Sequence, residues 1–584
     1  MNDVADTKAA VGSHSGTNVK DTIESILIAF ILAFIFRAFI VEAFVIPTGS
    51  MATTLLGAHL RYTCPDCGWT FTVNYSGDQV DGDIQIPAYA RVELRDRRGN
   101  RTGQALDQVF AVHCPNCGYR IPRRDDSNPD NDATAPPVHF GDRILVLKYL
   151  YLLREPSRWD VVVFKSPDSE RRDYSQNYIK RLIGKPGESI VLLDGDVYVG
   201  DSNATTPDQF KIARKPRVVQ EALWRIVYDH DFQPPPKGLP RDVTNASNQI
   251  VRVEPPFRVP WKQTVGAGWA AAEDNPRVFV FDNHTGAGTL EFDPDANPTK
   301  HALTDWLSYD VTVNQTSGHG AAARPPFDLF DRGGYVPGHH PLHHVSDIKL
   351  QFFHERISGD GPLQLLLTRR QHRFTVELAP EDGRVRARLL HALGDAAPTE
   401  VAGATAPSGK APLHVELVHA DYRLTLRLDG SEVLSFEYDP QPAELVADDI
   451  AGRLPPKPRI AITASGQTAR LSHLSLWRDV YYSSRGENLS FVRRASPKDF
   501  PDNVVRLNNA EFFVLGDNPL ISGDARSWTN GVSLPRENLF VEPGRVPERF
   551  LLGKAFFVYW PAGFRPFAGA PGFVPNFGNM RFIH

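Results

Sequence analysis

Cysteine is nearly missing from this chain: four residues in 584, beside three methionines. A scaffold held together by many disulfides is thereby excluded, and the few thiols are left for one specific use. Basic charge is not in excess either. Lys and Arg number 64 against 69 Asp and Glu, a net charge of −5, so nothing global points to nucleic acid. No fixed-period repeat, heptad run or low-complexity tract occurs, which argues against solenoids and coiled coils. Gly184 to Gly187 lacks the Gly-Lys-Ser/Thr order of a phosphate loop.

Long apolar runs are missing everywhere except near the N-terminus. There Ile26 to Phe36 carries no polar side chain, Arg37 interrupts, and Ala38 to Val41 resumes. This is close to the lower limit for a membrane-spanning helix, roughly 17 residues. Arg37 can reach the interface along its own stem. Glu42 and Phe44 stand where the small-x-small site of a cleaved leader belongs. The expectation is an uncleaved anchor over 25–43 behind a polar tail over 1–24.

What the chain does have is 47 prolines and many short apolar runs bounded by turn residues, which predict a mainly β protein. Ile144–Leu147, Val161–Phe164, 178–199, 511–518 and 551–561 read as strands, with a hairpin across Asp194-Gly195-Asp196. From 218 to 485 short strands recur, at 348–357, 363–369, 373–379, 384–391, 459–464 and 470–477. The clearest is "DYRLTLRLDGSEVLSFEYDP". Tyr422, Leu424, Leu426 and Leu428 alternate with Arg423, Thr425 and Arg427, which predicts a hairpin with one buried face in a β-sandwich.

The four cysteines form two Cys-Pro-x-Cys-Gly pairs, Cys64/Cys67 and Cys114/Cys117. In each, Pro stiffens a tight turn, the thiolates converge, and Gly permits the backbone to point N–H groups at sulfur. Two such knuckles make a tetrahedral four-sulfur site, so 63–136 resembles a zinc ribbon with structural zinc and no open coordination position. Two disulfides, or one redox dithiol, remain the alternatives.

A small turn, "FVIPTGSMATTLLG" over 44–57, follows the apolar run and contains Ser50. A serine hydroxyl is a poor nucleophile without a base. The nearby strands offer no His, but "YIKRLIG" offers Lys180 among Tyr178, Ile179, Leu182 and Ile183. Burial disfavours the ammonium, so its pKa falls from about 10.4 and a neutral amine becomes available as base.

Together these segments resemble the type I signal (leader) peptidases. Residues 44–57 are similar to the family's nucleophile box, "YIKRLIGKPGE" to its lysine box, "GDRILVLK" and "WDVVVFKSP" to the strands between, and "LGDNPLISGDARSW" to its last box. The resemblance implies a coiled, mostly antiparallel β fold behind one N-terminal transmembrane helix. It implies Ser50 as nucleophile, Lys180 as base, and Thr48 with the Ser50 N–H as oxyanion hole. Ser522 would orient the lysine. Asp524 and Arg526 would support it as an ion pair with Arg181 nearby. Phe44, Ile46, Met51, Leu55, Tyr178 and Ile179 would line small apolar pockets for a small-x-small site. No catalytic cofactor is implied. The implied partners are exported preproteins and the lipid bilayer of the plasma membrane, with the N-terminus cytoplasmic and the catalytic domain exoplasmic. Thr53 departs from the family pattern, which has Pro there, and Ala525 replaces a common Ser.

The organisation expected is thus catalytic parts at 44–62, 137–217 and 486–565, a zinc-ribbon-like insert at 63–136, a sandwich at 218–485 and a tail at 566–584. The sandwich resembles a concanavalin/laminin-G-like jelly roll, which implies a protein or glycan ligand. The "HHPLHH" tract (His339, His340, His343, His344) reads as a solvated loop. Two rival functions stand beside the protease: a catalytically degenerate tethered binding module, and a serine/lysine protease with one dedicated substrate.

Overall fold

In this computed structural model the described residues are 19–35, 39–77, 112–121, 138–167, 176–236, 257–297, 302–310, 343–407, 411–451, 455–482, 504–528, 539–561 and 576–584, with short segments between them. Strands dominate, as the turn-bounded apolar runs predict. Of the tail expected over 1–24, residues 1–18 lie outside the described residues, whereas 19–24 are the start of a helix; the start of the last catalytic part at 486–499, most of 78–111, His339 and His340, and 566–575 also lie outside or mostly outside the described residues.

One antiparallel sheet gathers strands from three distant parts of the sequence. Its order is Val41–Val45, Arg143–Leu147, Leu551–Trp560, Val161–Lys165, Asn177–Gly184, Glu511–Leu515 and Val546–Pro547. The run Val161–Phe164 is buried on both faces because it lies in the middle of this sheet. Cores form on either side. One holds Ile46, Met51, Leu55, Ile144, Val163 and Val558; the other holds Val162, Phe164, Leu182, Phe513 and Val514. Each fully buried aliphatic side chain contributes about 1.5–3 kcal/mol relative to exposure. The hairpin Glu188–Leu193/Asp196–Asp201 turns at Asp194 and Gly195, both at positive φ (52° and 88°).

A second sheet carries the first cysteine pair. His59–Thr63 pairs with Thr70–Gly77, and Thr312–Thr316 runs parallel to Asn74–Gly77. A third, 13-stranded sheet system occupies 225–478, and Ile460–Arg478 forms one 19-residue strand where two were expected. Arg423–Leu428 and Ser431–Glu437 pair as expected around Asp429 and Gly430. The expectation of one buried face there is corrected: Thr425 and Arg427 are buried too. Helix Arg217–Leu223 accounts for it, since its Glu221 accepts from Arg427 Nη1 (2.8 Å) and from Lys349 Nζ (3.2 Å).

A buried charge cluster joins this third sheet system to the hairpin at 188–201. Arg369 Nη2 donates to Asp196 (2.7 Å), Arg369 Nη1 bonds Asp347, and Lys215 bonds Asp421 and lies 3.0 Å from Asp479. Arg369 and Lys215 occupy the space among Asp196, Asp347 and Asp421 as counter-charges. Desolvation cancels most of the net gain from such pairs, but removing one partner is costly, so the cluster fixes orientation more than it adds stability.

The anchor expectation needs correction. The N-terminal helix is Val19–Ile35, 17 residues, and residues 41–45 are a strand of the first sheet. The helix that was expected to run to 43 therefore stops short, because backbone pairing with Arg143–Leu147 claims those residues. Among the described residues no helix is long and apolar enough to cross a membrane.

Candidate active site

Ser50 sits in a single 3₁₀ turn, Gly49–Met51, directly after the edge strand Val41–Val45. The turn is closed by Ala52 N–H donating to Gly49 O (3.0 Å) and continued by Leu55 N–H to Met51 O (2.8 Å). Gly49 is required by close approach: a Cβ there would lie 2.4 Å from Tyr309 Cε1 and 2.8 Å from Asn74 Oδ1. Lys180 comes from the strand Asn177–Gly184, and its Nζ lies 2.6 Å from Ser50 Oγ. Both side chains are buried, at 7 % and 4 % exposure. Burial pushes the Lys180 pKa down to about 8, against the opposing pull of Asp524 and then Asp517. An amine poised near neutrality beside a serine hydroxyl can accept its proton.

The segment 515–528 packs behind this pair. Asn518 N–H donates to Ser50 O (3.2 Å), which ties the Ser50 turn to the loop. Asp524 accepts from Arg526 Nε (2.8 Å) and Nη2 (2.7 Å) and from Gly516 N–H (2.9 Å), so the expected ion pair is there and buried. Arg181, expected near that pair, bonds a carboxylate of its own. It forms a fork with Asp517 (2.7 Å to each oxygen) and donates to the carbonyls of Trp159 and His584 (2.8 Å each). Asp517 is the functional residue that sequence reasoning missed; its position beside Gly516 in "LGDN" was the available signal. Ser522 stands in the same nest, but its hydroxyl makes no hydrogen bond, to Lys180 or otherwise. A Cβ on Gly516 would fall 2.1 Å from that hydroxyl and 2.4 Å from Ser50 O, so only glycine allows the two to close on one another.

Thr48 is exposed and extended (φ −122°, ψ 159°), two residues before Ser50, with no capping bond from its side chain. The six expected pocket residues divide. Ile46, Met51 and Leu55 are packed into the core at 2 %, 0 % and 0 % exposure. Phe44, Tyr178 and Ile179 are half-buried and form the accessible apolar rim. The Tyr178 ring lies 5.7 Å from Lys180 Nζ and contacts Phe164 and Trp528.

The cysteines converge. Cys64 Sγ is 3.7 Å from Cys117 Sγ, Cys67 Sγ is 3.6 Å from Cys114 Sγ, and all four are unbridged and buried. All four sulfurs lie within 4.8 Å of one another. The two knuckles are alike: Gly68 and Gly118 at φ 79° and 73° each donate back to the first cysteine carbonyl at 2.8 Å. A tetrahedron with metal–sulfur distances of about 2.3 Å has edges of about 3.8 Å, so the donor set fits zinc.

Residues 129–236 match the family described as signal peptidase, peptidase S26. That stretch includes Lys180 and not Ser50. Over 82 residues the chain is 35% identical to "Probable signal peptidase I-2" of Synechocystis sp. (strain ATCC 27184 / PCC 6803 / Kazusa), 14% of this chain and 36% of that protein. Over 64 residues it is 45% identical to "Signal peptidase I" of Rickettsia typhi (strain ATCC VR-144 / Wilmington), 11% and 23% respectively. The matched stretches thus span well under half the length of these relatives. Together they support the signal peptidase I family and a hydrolase of the serine peptidase kind. Among solved structures, a carbohydrate binding module, CBM66 from Bacillus subtilis, aligns with a TM-score of 0.21 and 10% identity over 37% of this chain and 94% of that chain, too low a likeness to assign a fold.

The burial of Lys180 generates a measurable expectation. By NMR of labelled lysine, its amine titrates with a midpoint near 8, below the ordinary lysine value. Asp524→Asn lowers that midpoint further, because Asp524 is the strongest charge holding the proton on. A midpoint above 10 in the wild type contradicts the site as described.

Proposed function

We propose that this chain is a serine endopeptidase of the signal peptidase I kind, working through Ser50 and Lys180. The observation that carries the reading is the 2.6 Å approach of the two reacting groups inside a closed core. With the amine neutral, the Ser50 hydroxyl donates its proton to Lys180 as Oγ attacks the scissile carbonyl carbon. The developing oxyanion is met by the Ser50 N–H and the Thr48 hydroxyl. The protonated lysine returns the proton to the leaving amine, which departs as the new N-terminus. Lys180 then takes a proton from water as its oxygen attacks the acyl carbonyl carbon, and returns that proton to Ser50 Oγ as the ester bond breaks. The Asp524–Arg526 and Arg181–Asp517 pairs hold the loop and the lysine strand in place. No step uses a cofactor.

The substrates in this reading are exported preproteins. The half-buried rim of Phe44, Tyr178 and Ile179 offers small apolar room beside Ser50, which favours a small-x-small sequence before the cut. Tethering to the bilayer is supported by the helix Val19–Ile35. Its Ile23, Ile26, Leu27, Ile28, Phe30, Ile31, Leu32 and Phe34 are each about half or more exposed, and an apolar helix without protein cover calls for lipid. The catalytic domain then faces the exoplasmic side of the plasma membrane, where translocated preproteins emerge.

The cysteine site is read as structural zinc. It holds the turns at 64–68 and 114–118 together, and Cys64, Cys67, Cys114 and Cys117 fill all four positions, so it takes no part in the chemistry.

Two experiments test these readings. Cleavage of a preprotein with an Ala-x-Ala site is expected after the second Ala. Ser50→Ala and Lys180→Met each lower the rate by about 10³-fold or more while leaving the thermal unfolding midpoint within a few degrees. Retained cleavage in either variant contradicts the dyad. Elemental analysis is expected to give one zinc per chain, lost together with thermal stability in the Cys64→Ser, Cys67→Ser double variant. Two disulfides by intact mass contradict the metal reading.

A further inference from the structure

A cavity of about 490 Å³ lies beside the nucleophile turn, between the cysteine-bearing sheet and the 13-stranded sheet system. Its volume is that of a small-molecule site. Neither Ser50 nor Lys180 lines it. Trp69, Trp224, Trp306 and Tyr309 supply aromatic wall, and Arg225 enters from the strand Arg225–Asp229.

Arg225 is 3 % exposed and, among the described residues, has no carboxylate partner. Its guanidinium makes only long contacts, 3.4 Å each, to the carbonyls of Ala222, Trp224 and Ala52. Its Nε has no acceptor, and neither does the adjacent Trp224 Nε1. A buried cation whose direct contacts are only carbonyls, with Asp517 and Asp479 acting on it from farther off, is a costly arrangement, and two unsatisfied donors side by side call for oxygen acceptors that carry charge. Elsewhere in the interior Arg181, Arg369, Lys215 and Arg526 are each met by carboxylates. Arg225 is not, and neither, among the described residues, is Arg478, which donates only to the carbonyls of Asp479, Asp305 and Trp306; both line this cavity, and of the two only Arg225 is left with long contacts.

The same walls touch the nucleophile turn on both sides of Ser50. Tyr309 rests on Gly49, the residue before it, and Arg225 donates to the carbonyl of Ala52, two residues after it. Anything that pulls Arg225 away from Ala52 alters the turn that presents Ser50.

We propose that this cavity is a second ligand site, for a small organic oxyanion with a ring or other apolar body, and that its occupancy is transmitted to Ser50 through Arg225. The oxyanion pairs with Arg225 and accepts from Trp224, and the organic part lies against the indoles. The site is distinct from the rim that meets the scissile sequence. Binding does not depend on the serine/lysine reading; the effect on cleavage does.

The test uses the full chain in detergent, as Ser50→Ala so that binding is read without turnover. Tryptophan fluorescence is followed on titration with glucuronate, with glucose 6-phosphate and with glucose. Saturable quenching by the carboxylate or the phosphate ester, and none by glucose, is expected; which of the two binds tells carboxylate from phosphate. Arg225→Gln weakens binding at least about tenfold, the loss of one charge-assisted bond. Trp224→Phe, which keeps the aromatic wall and so guards against misfolding, weakens it several-fold. Absence of saturable binding by either anion, equal binding of glucose, or unchanged affinity in a folded Arg225→Gln or Trp224→Phe overturns the site. In the active chain the bound ligand changes the cleavage rate of an Ala-x-Ala peptide; binding with an unaltered rate overturns the coupling. A chain that cleaves nothing yet binds the anion refutes the protease reading and leaves the binding site standing.

Discussion

The desolvation of one amine is the constraint on which the site depends. Lys180 is charged in water at neutral pH and useless there as a base. Its place in the buried strand Asn177–Gly184, under the loop 515–528, removes that hydration and brings its pKa down to about 8. Desolvation alone would drive it lower still. Asp524 and Asp517 limit the fall, and each of those carboxylates is held by its own arginine, so neither is free to capture the lysine as a salt-bridge partner. The two arginine forks are therefore part of how the amine is tuned, although they touch neither the nucleophile nor any substrate.

Closure of the core has a further consequence. The nucleophile turn is clasped by three parts of the chain: the loop 515–528 through Asn518, the cysteine-bearing sheet through Asn74, and the segment 302–310 through Tyr309. Gly49 and Gly516 are the points of closest approach, and a methyl group at either would displace a neighbour. The added regions thus belong to the support of the Ser50 turn. This links the segment 302–310 physically to the turn that carries Ser50.

Much of this could be read from residues alone, where local chemistry and function coincide. The strands at 144–147, 161–164 and 178–184 announce themselves by apolar runs between turn signals, and Ser50 and Lys180 by a resemblance in order and spacing. The two Cys-Pro-x-Cys-Gly turns are so constrained that their convergence followed. What escaped were outcomes of tertiary competition. Arg181 carries no mark in the sequence of its partner, Asp517, 336 residues away, which accepts it as a fork. Met51 and Leu55 look like pocket residues because they flank the serine, yet the core claims them. Thr425 and Arg427 alternate like a solvent face until a helix from 217 onward covers them. The apolar run to Val41 reads as one helix, but pairing with Arg143–Leu147 converts its end to a strand. Arg225 has no local signature at all, since its isolation is visible only once its surroundings are assembled.

The most direct test of the central claim is the pH dependence of kcat/KM for an Ala-x-Ala peptide. The base acts only when neutral, so activity should rise with pH as a single proton leaves a group of pKa about 8 and then level off. Replacing Asp524 by Asn should carry the whole limb to lower pH. A profile that rises near pH 6.5, as for a histidine base, or one unmoved by that substitution, would contradict a buried lysine as the group that activates Ser50.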